Sequence, residues 1–215
     1  MLAELQQQHC DTYGVAGHPD VRDYLITNAA VAQAVARESL LAGTNETLLL
    51  AQDDDGLALS LFLDASLLKR LEATNPLGTL KPRALDDFWQ VVEGISHFNT
   101  VVHRAHHDRH VSLLELELQA EVDKFVASLQ RALAQGDTAL ARNLHGWLFD
   151  AVRFHDDLDG DALDRYRAAN DLAGRFCARL ADAMIGEVDD ALAELRRFFR
   201  LPAADKISHI NTRCM

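Results

Sequence analysis

A chain of 215 residues can bury one large core, and 48% hydrophobic against 25% charged residues excludes wholesale disorder. The 33 acidic and 21 basic side chains leave a net charge of −12, which repels phosphate backbones and anionic lipid surfaces and argues against nucleic-acid or membrane partners. Cys10, Cys177 and Cys214 are far apart and form no CxxC pair, as expected of a reducing compartment rather than a disulfide framework. No run approaches the roughly 20 apolar residues of a membrane span. The opening MLAELQQQHCD lacks the basic and apolar regions of a secretory signal, so a cytoplasmic protein is expected.

In chain order, residues 1–19 are polar and carry Gly14, Gly17 and Pro19, which predicts a short helix followed by a loop. Asp20 is a good N-cap for a helix through Tyr24, Leu25, Ala29, Val31, Ala32 and Val35 to about Leu41, with Gly43 as its stop. Two apolar runs, 47–52 and 57–63, flank Asp53-Asp54-Asp55-Gly56. The second alternates Leu57, Leu59, Leu61 and Leu63 with Ala58, Ser60 and Phe62. Asp-Gly between two such runs predicts an antiparallel hairpin over 47–63. The acidic tip is explained by turn chemistry, with cation binding the sharper alternative. Asp64 caps a short helix to Ala73, and Pro76, Gly78 and Pro82 mark 74–83 as the best linker.

From residue 84 onward the pattern is helical. Helix 84–107 has an apolar stripe of Phe88, Val91, Val92, Ile95, Phe98 and Val102. Helix 112–133 opens on a Ser112-x-x-Glu115 capping box and carries Leu114, Leu118, Val122, Phe125 and Leu129. Gly136-Asp137 punctuates the chain before a helix bearing Leu140, Leu144, Trp147 and Leu148. Asp161 is expected to start a long helix to Met184, and Val188, Leu192, Leu195 and Phe199 make a last amphipathic one before Pro202.

The candidate chemistry concentrates at the two central helices. Glu93 and His97, four apart, project from one face of helix 84–107, the face of Trp89 and Arg104 opposite its apolar stripe. Glu117 and Glu121, again four apart, flank the stripe of the next helix. Glu121 beside Leu118 and Phe125 needs a cation or a donor, and Lys124 three positions on is the nearest remedy. Glu93, His97, Glu117 and Glu121 are therefore the candidate ligands of a divalent metal ion. Their capacity to converge depends on antiparallel packing of the two helices through the corner between them. Glu115 is assigned to capping. His103, His106 and His110 would share a face only if the first helix ran unbroken past Asp108, which the cap at Ser112 argues against.

Named signatures are missing. Glu93-x3-His97 is not the Glu-x-x-His of ferritin-like di-metal bundles, and HExxH, P-loop, Gly-x-Ser-x-Gly and Gly-x-Gly-x-x-Gly are absent. His155–Asp161 fails as a calcium loop, because His155 and Tyr166 fall where acidic ligands belong. Cys177 lies on a predicted buried face as a small hydrophobe.

The resulting expectation is an α+β, predominantly helical single domain: a bundle of about six helices with one hairpin. Its parts are an N-terminal segment over 1–73, the linker at 74–83, the helical bundle at 84–202 and a loose tail at 203–215. The leading functional expectation is a non-catalytic binding or regulatory protein that engages another protein through its acidic helical surface. The alternative is a metal-dependent enzyme built on Glu93, His97, Glu117 and Glu121.

Overall fold

The computed structural model describes residues 1–36, 44–53, 56–152 and 159–212, without the side chains of residues 52, 53 and 57. Helix α1 (Leu2–Tyr13) ends where Gly14 turns left-handed at φ 61° and its N–H reaches back to the Asp11 carbonyl. Asp20 caps, but only a 3-10 turn over Val21–Tyr24, accepting from the Arg22 N–H at 2.9 Å. The single helix expected from Asp20 is thereby corrected. Leu25–Ile26 leave the helical path as strand β1, and helix α2 (Ala29–Ala36) restarts with the Asn28 carboxamide oxygen accepting from the N–H groups of Ala30 and Val31. Three consecutive apolar residues, Tyr24 to Ile26, suit a strand edge as well as a helix face. The available edge of the hairpin decides between them. Residues 37–41, the expected end of that helix, lie outside the described residues.

The hairpin forms as the alternation demands. Strands β2 (Glu46–Asp53) and β3 (Gly56–Leu63) run antiparallel from Glu46↔Leu63 to Asp53↔Gly56. Asp54 and Asp55, and with them the tip considered for a cation, lie outside the described residues. The hairpin is not alone. Strand β1 joins β3 in parallel, Leu25 opposite Leu61 and Ile26 opposite Phe62, giving a three-stranded sheet of order β1-β3-β2. β3 is therefore central and buried on both faces: Leu61 and Leu63 enter the main core, while Phe62 packs with Ala32 and Leu49 on the other side.

Asp64 caps helix α3 (Ala65–Thr74), and a 3-10 turn at Pro82–Ala84 leads into the two long central helices, α4 (Leu85–Ala105) and α5 (Leu113–Ala134). Asp108 at φ 51° ends the run between them, so the register break expected there is present. Asp137 caps α6 (Thr138–His145), which widens into a π turn over Gly146–Asp150. Helix α7 (Gly160–Gly186) is capped by Asp159, which accepts from Ala162 N–H at 2.7 Å. Asp161, expected in that role, sits one position inside the helix. Helix α8 (Val188–Arg200) follows.

The loose tail expected from Ala203 is also corrected: Ala203–Thr212 is helix α9, and its Lys206 and Ile210 are wholly buried. The Lys206 ammonium donates to Gln119 Oε1 at 2.6 Å and lies 4.9 Å from the Phe198 ring centre. Burial pushes that amine down to about 7. A lone lysine among polar neighbours reads as a solvent residue in sequence, which is why the anchor was not expected.

One hydrophobic cluster runs from Leu5 through Phe88, Phe98, Val122, Phe125, Phe176 and Phe198 to Ile210, uniting the N-terminal segment with the bundle. Among the described residues no helix is long and apolar enough to cross a membrane.

Candidate functional site

The face of α4 opposite its apolar stripe does not look to solvent. It meets α5, which runs antiparallel after the corner at residues 106–112, in a ladder of polar pairs. Trp89 Nε1 donates to Ser128 Oγ at 2.9 Å, and Lys124 Nζ donates to Glu93 Oε2 at 3.1 Å. His97 Nε2 lies 3.7 Å from Glu117 Oε2, and Arg104 donates from Nε and Nη2 to Glu115 Oε1, the former at 2.8 Å. Both faces of α4 are thus buried. The apolar stripe fills the core while the polar stripe is enclosed between α5 and the sheet.

The four candidate ligands named from the sequence converge, and two further residues join them. Glu46, first residue of β2, brings Oε1 to 3.5 Å from His97 Nδ1. Ligand atoms of Glu46, Glu93 and His97 lie within 4.8 Å of one another. Glu117 closes the other side of the imidazole, one turn nearer the corner than Glu121. Lys124 bridges Glu93 and Glu121, at 2.7 Å from Glu121 Oε1, so the expected remedy for Glu121 is in place. These side chains are nearly enclosed. His97, Glu117 and Lys124 each expose 10%, and Glu93, at 22%, is the side from which solvent reaches the cluster.

The polar atoms are not all satisfied. Neither His97 contact is short enough for a hydrogen bond. Glu46 Oε1, His97 Nε2 and Glu121 Oε2 are buried without hydrogen-bond partners among the described residues. Such orphans are rare in native interiors and each calls for an account. The charge is also unbalanced: four carboxylates face one ammonium and one imidazole, leaving two negative charges even with His97 protonated.

Electrostatics follow the packing. Burial pushes the Glu46 and Glu121 carboxyls up, despite the cations beside them. Burial also opposes ionisation of Glu93, but Lys124 and His97 hold its carboxyl below the ordinary value. His97 would be driven down by burial, yet Glu117 and Glu46 raise it well above an ordinary imidazole. The Tyr166 phenol on α7 is pushed up by burial and by the charges of Glu117, Glu93 and Glu46.

Gly94 makes the entry of Glu46 feasible. A Cβ there would stand 2.9 Å from Leu61 Cδ1 and 3.1 Å from Glu46 Cγ. The sheet can therefore approach α4 only where a side chain is missing. In Gly94→Ala the Leu61 methyl and the Glu46 side chain must shift, and Glu46 is expected to move off His97. The His97 imidazole should then titrate at a lower pH than in wild type, because one of the two carboxylates raising it has left. An NMR titration reads this directly, and an unchanged midpoint would show that Glu46 had not moved.

Other clusters have different chemistry. Asp123 accepts from Ser96 Oγ at 2.5 Å, from Gln119 Nε2 at 2.9 Å and from the Tyr13 hydroxyl, with His9 Nε2 at 3.0 Å. Burial raises its carboxyl, but His9, Ser96 and Tyr13 keep it below the ordinary range. This network ties α1 to the bundle. At the corner, His103 stacks near His107 with ring centres 4.4 Å apart, while His18 approaches both His103 and His106. Burial, together with repulsion from His107, Arg104, His18 and Arg200 around it, pushes His103 down to about 4. Among the described residues, the grouping at metal-ligand spacing is Glu46, Glu93 and His97, not these imidazoles. Burial pushes the Cys177 thiol well up, consistent with its reading as a small hydrophobe.

Sequence reasoning missed Glu46, Gly94 and Tyr166. Glu46 stands 47 positions before Glu93 in the chain, on another type of element, and only the three-dimensional approach of β2 to Gly94 relates them. Glu115 was assigned to capping, and half of that holds: Ser112 Oγ accepts from Glu115 N–H at 3.2 Å, but the Glu115 carboxylate serves Arg104. No known protein family, curated protein or solved structure matches the chain.

Proposed function

We propose that this protein is a metal-dependent enzyme whose divalent ion is held by Glu46, Glu93 and His97. The observation that carries the reading is the convergence of carboxylates on one imidazole with buried polar atoms that have no hydrogen-bond partner among the described residues. A divalent cation reduces both deficits, by lowering the surplus from two negative charges to one with His97 neutral and by giving the orphaned Glu46 oxygen a partner. The donor set indicates the metal. Carboxylate oxygens suit Mn²⁺ and Mg²⁺, while an imidazole favours later first-row ions, so a site mixing them fits Mn²⁺ or Fe²⁺. His97 must be neutral to ligate, so binding releases its proton.

The enzymatic part rests on coordination number. Three protein ligands leave positions open for water or substrate, whereas a structural ion is closed off by its protein ligands. The partial opening at Glu93 supplies the way in. The binding-protein reading, by contrast, rests on the net charge of −12 without a particular surface to carry it.

Metal analysis of untagged protein, exposed to Mn²⁺ or anaerobic Fe²⁺ and then desalted, tests the proposal. One ion per chain is expected in wild type, with loss in His97→Ala and in Glu46→Gln while the circular dichroism spectrum stays helical. Folded wild-type protein that retains no ion would show the cluster to be a closed ion-pair network instead.

A further inference from the structure

Resting on that metal site, we infer that the centre is built for two cations and that the Lys124 ammonium permanently holds the second position. The wild-type protein then takes one divalent ion, and removal of the lysine charge opens a place for another between Glu93 and Glu121.

The geometry of Glu93 is the starting point. One of its oxygens accepts from Lys124 at 3.1 Å, while the carboxylate also falls within the Glu46–His97 grouping. It therefore stands between two cation positions, as a bridging carboxylate does. Lys124 Nζ completes the second position at 2.7 Å from Glu121 Oε1, and the other oxygen of Glu121 is buried with no partner among the described residues. An ammonium presents three donors and no acceptor, so it neutralises charge here without completing the hydrogen bonding of both carboxylates. Glu121 exposes only 9% of its surface, so bulk water does not make up the difference.

Charge balance points the same way. With a divalent ion at Glu46, Glu93 and neutral His97, and with Lys124 in place, the four carboxylates keep one negative charge in surplus. Exchanging the lysine charge for a second divalent ion reaches neutrality. Holding two divalent ions and the lysine together would leave an uncompensated positive charge in a nearly enclosed site, which is strongly unfavourable. Lysine and the second ion are thus mutually exclusive, and the chain has selected the lysine. The consequence for chemistry is a single metal ion with a fixed cation beside it, suited to stabilise negative charge that develops on a metal-bound substrate oxygen. It is unsuited to reactions that need two metal ions to clamp attacking and leaving oxygens.

Lys124→Gln is the decisive variant, because the carboxamide still donates to the carboxylates while the charge is removed. Untagged protein is prepared in excess Mn²⁺, desalted, and measured for Mn per chain and by electron paramagnetic resonance. The expected results are one ion and an isolated six-line spectrum in wild type. Lys124→Gln should hold two ions with an exchange-coupled spectrum, and Lys124→Arg, which restores the charge, should return to one. Adding Glu121→Gln to Lys124→Gln should also return it to one. A Lys124→Gln protein with one ion or none, or a wild type with two, overturns the inference and leaves the first site intact. So does a Lys124→Gln chain that fails to fold even in Mn²⁺, since the ion should replace the missing charge. Folded wild type with no ion removes the underlying metal reading instead.

Discussion

Arg104→Ala should destabilise the protein by about 3–5 kcal/mol, the range for removing one partner of a buried ion pair. Arg104 exposes 2% of its surface and Glu115 another 2%. Besides the carboxylate, the guanidinium serves the carbonyls of Phe199 and Leu201 through Nη2, the latter at 2.6 Å, and that of Arg200 through Nη1 at 3.2 Å. One side chain therefore joins α4, the start of α5 and the end of α8. Truncation leaves a carboxylate buried without its cation and takes a donor from three carbonyls, of which that of Arg200 keeps Arg109 at 3.4 Å, and both losses act against the folded state alone.

Urea unfolding of the single variants and of the double variant Arg104→Met/Glu115→Leu separates the two contributions. The double variant should recover much of the loss, because matched apolar groups leave no buried charge behind. Should Arg104→Ala cost less than about 1 kcal/mol, as ordinary surface substitutions do, the guanidinium would not hold these elements together.

How far the architecture was legible depends on whether the signal was local. The hairpin was legible because period-2 alternation and Asp-Gly turn chemistry are encoded within a single stretch, and Glu46↔Leu63 to Asp53↔Gly56 follows from them. Caps at Asp64, Ser112 and Asp137 were legible for the same reason. Strand β1 was not, since two residues paired in parallel with β3 owe their conformation to a neighbour 36 positions away. The site divides along the same line. Glu93, His97, Glu117 and Glu121 could be named because i to i+4 spacing places each pair on one helical face. Their convergence was less clear, because a polar stripe opposite an apolar one ordinarily faces water. Here it is buried because α4 is a central helix, enclosed by α5 on one side and by the sheet at Gly94 on another.

The antiparallel arrangement of α4 and α5 also leaves the apolar stripe of α5 free to face α6 and α7, and Phe125 is the test of that division. Phe125→Ala should cost about 3–5 kcal/mol, the usual range for deleting a buried aromatic ring. The ring exposes 1% of its surface and lies between Leu118, Val122 and Leu129, all similarly buried. It approaches Phe149 at 5.9 Å between ring centres and His145 edge-on at 6.0 Å, distances at which tilted aromatic pairs attract. Those partners belong to α6 and the π turn, so the substitution opens a void at the junction of several elements. Phe149 in turn rests on Gly174 of α7, where a Cβ would stand 3.3 Å from its ring. That close seat restricts how far Phe149 can move to fill the space, which favours the upper half of the range. For a protein of this size the melting temperature falls by about 2–4 °C per kcal/mol, so calorimetry can resolve the change. Phe125 stands one turn from Glu121 on α5, but its ring packs on His145 and Phe149, so metal content is expected to persist. A melting temperature within about 2 °C of wild type, equivalent to less than roughly 1 kcal/mol, would mean that Phe125 is not packed in the core. Loss of the ion together with stability would mean instead that the two faces of α5 are coupled and that the site depends on the packing behind it.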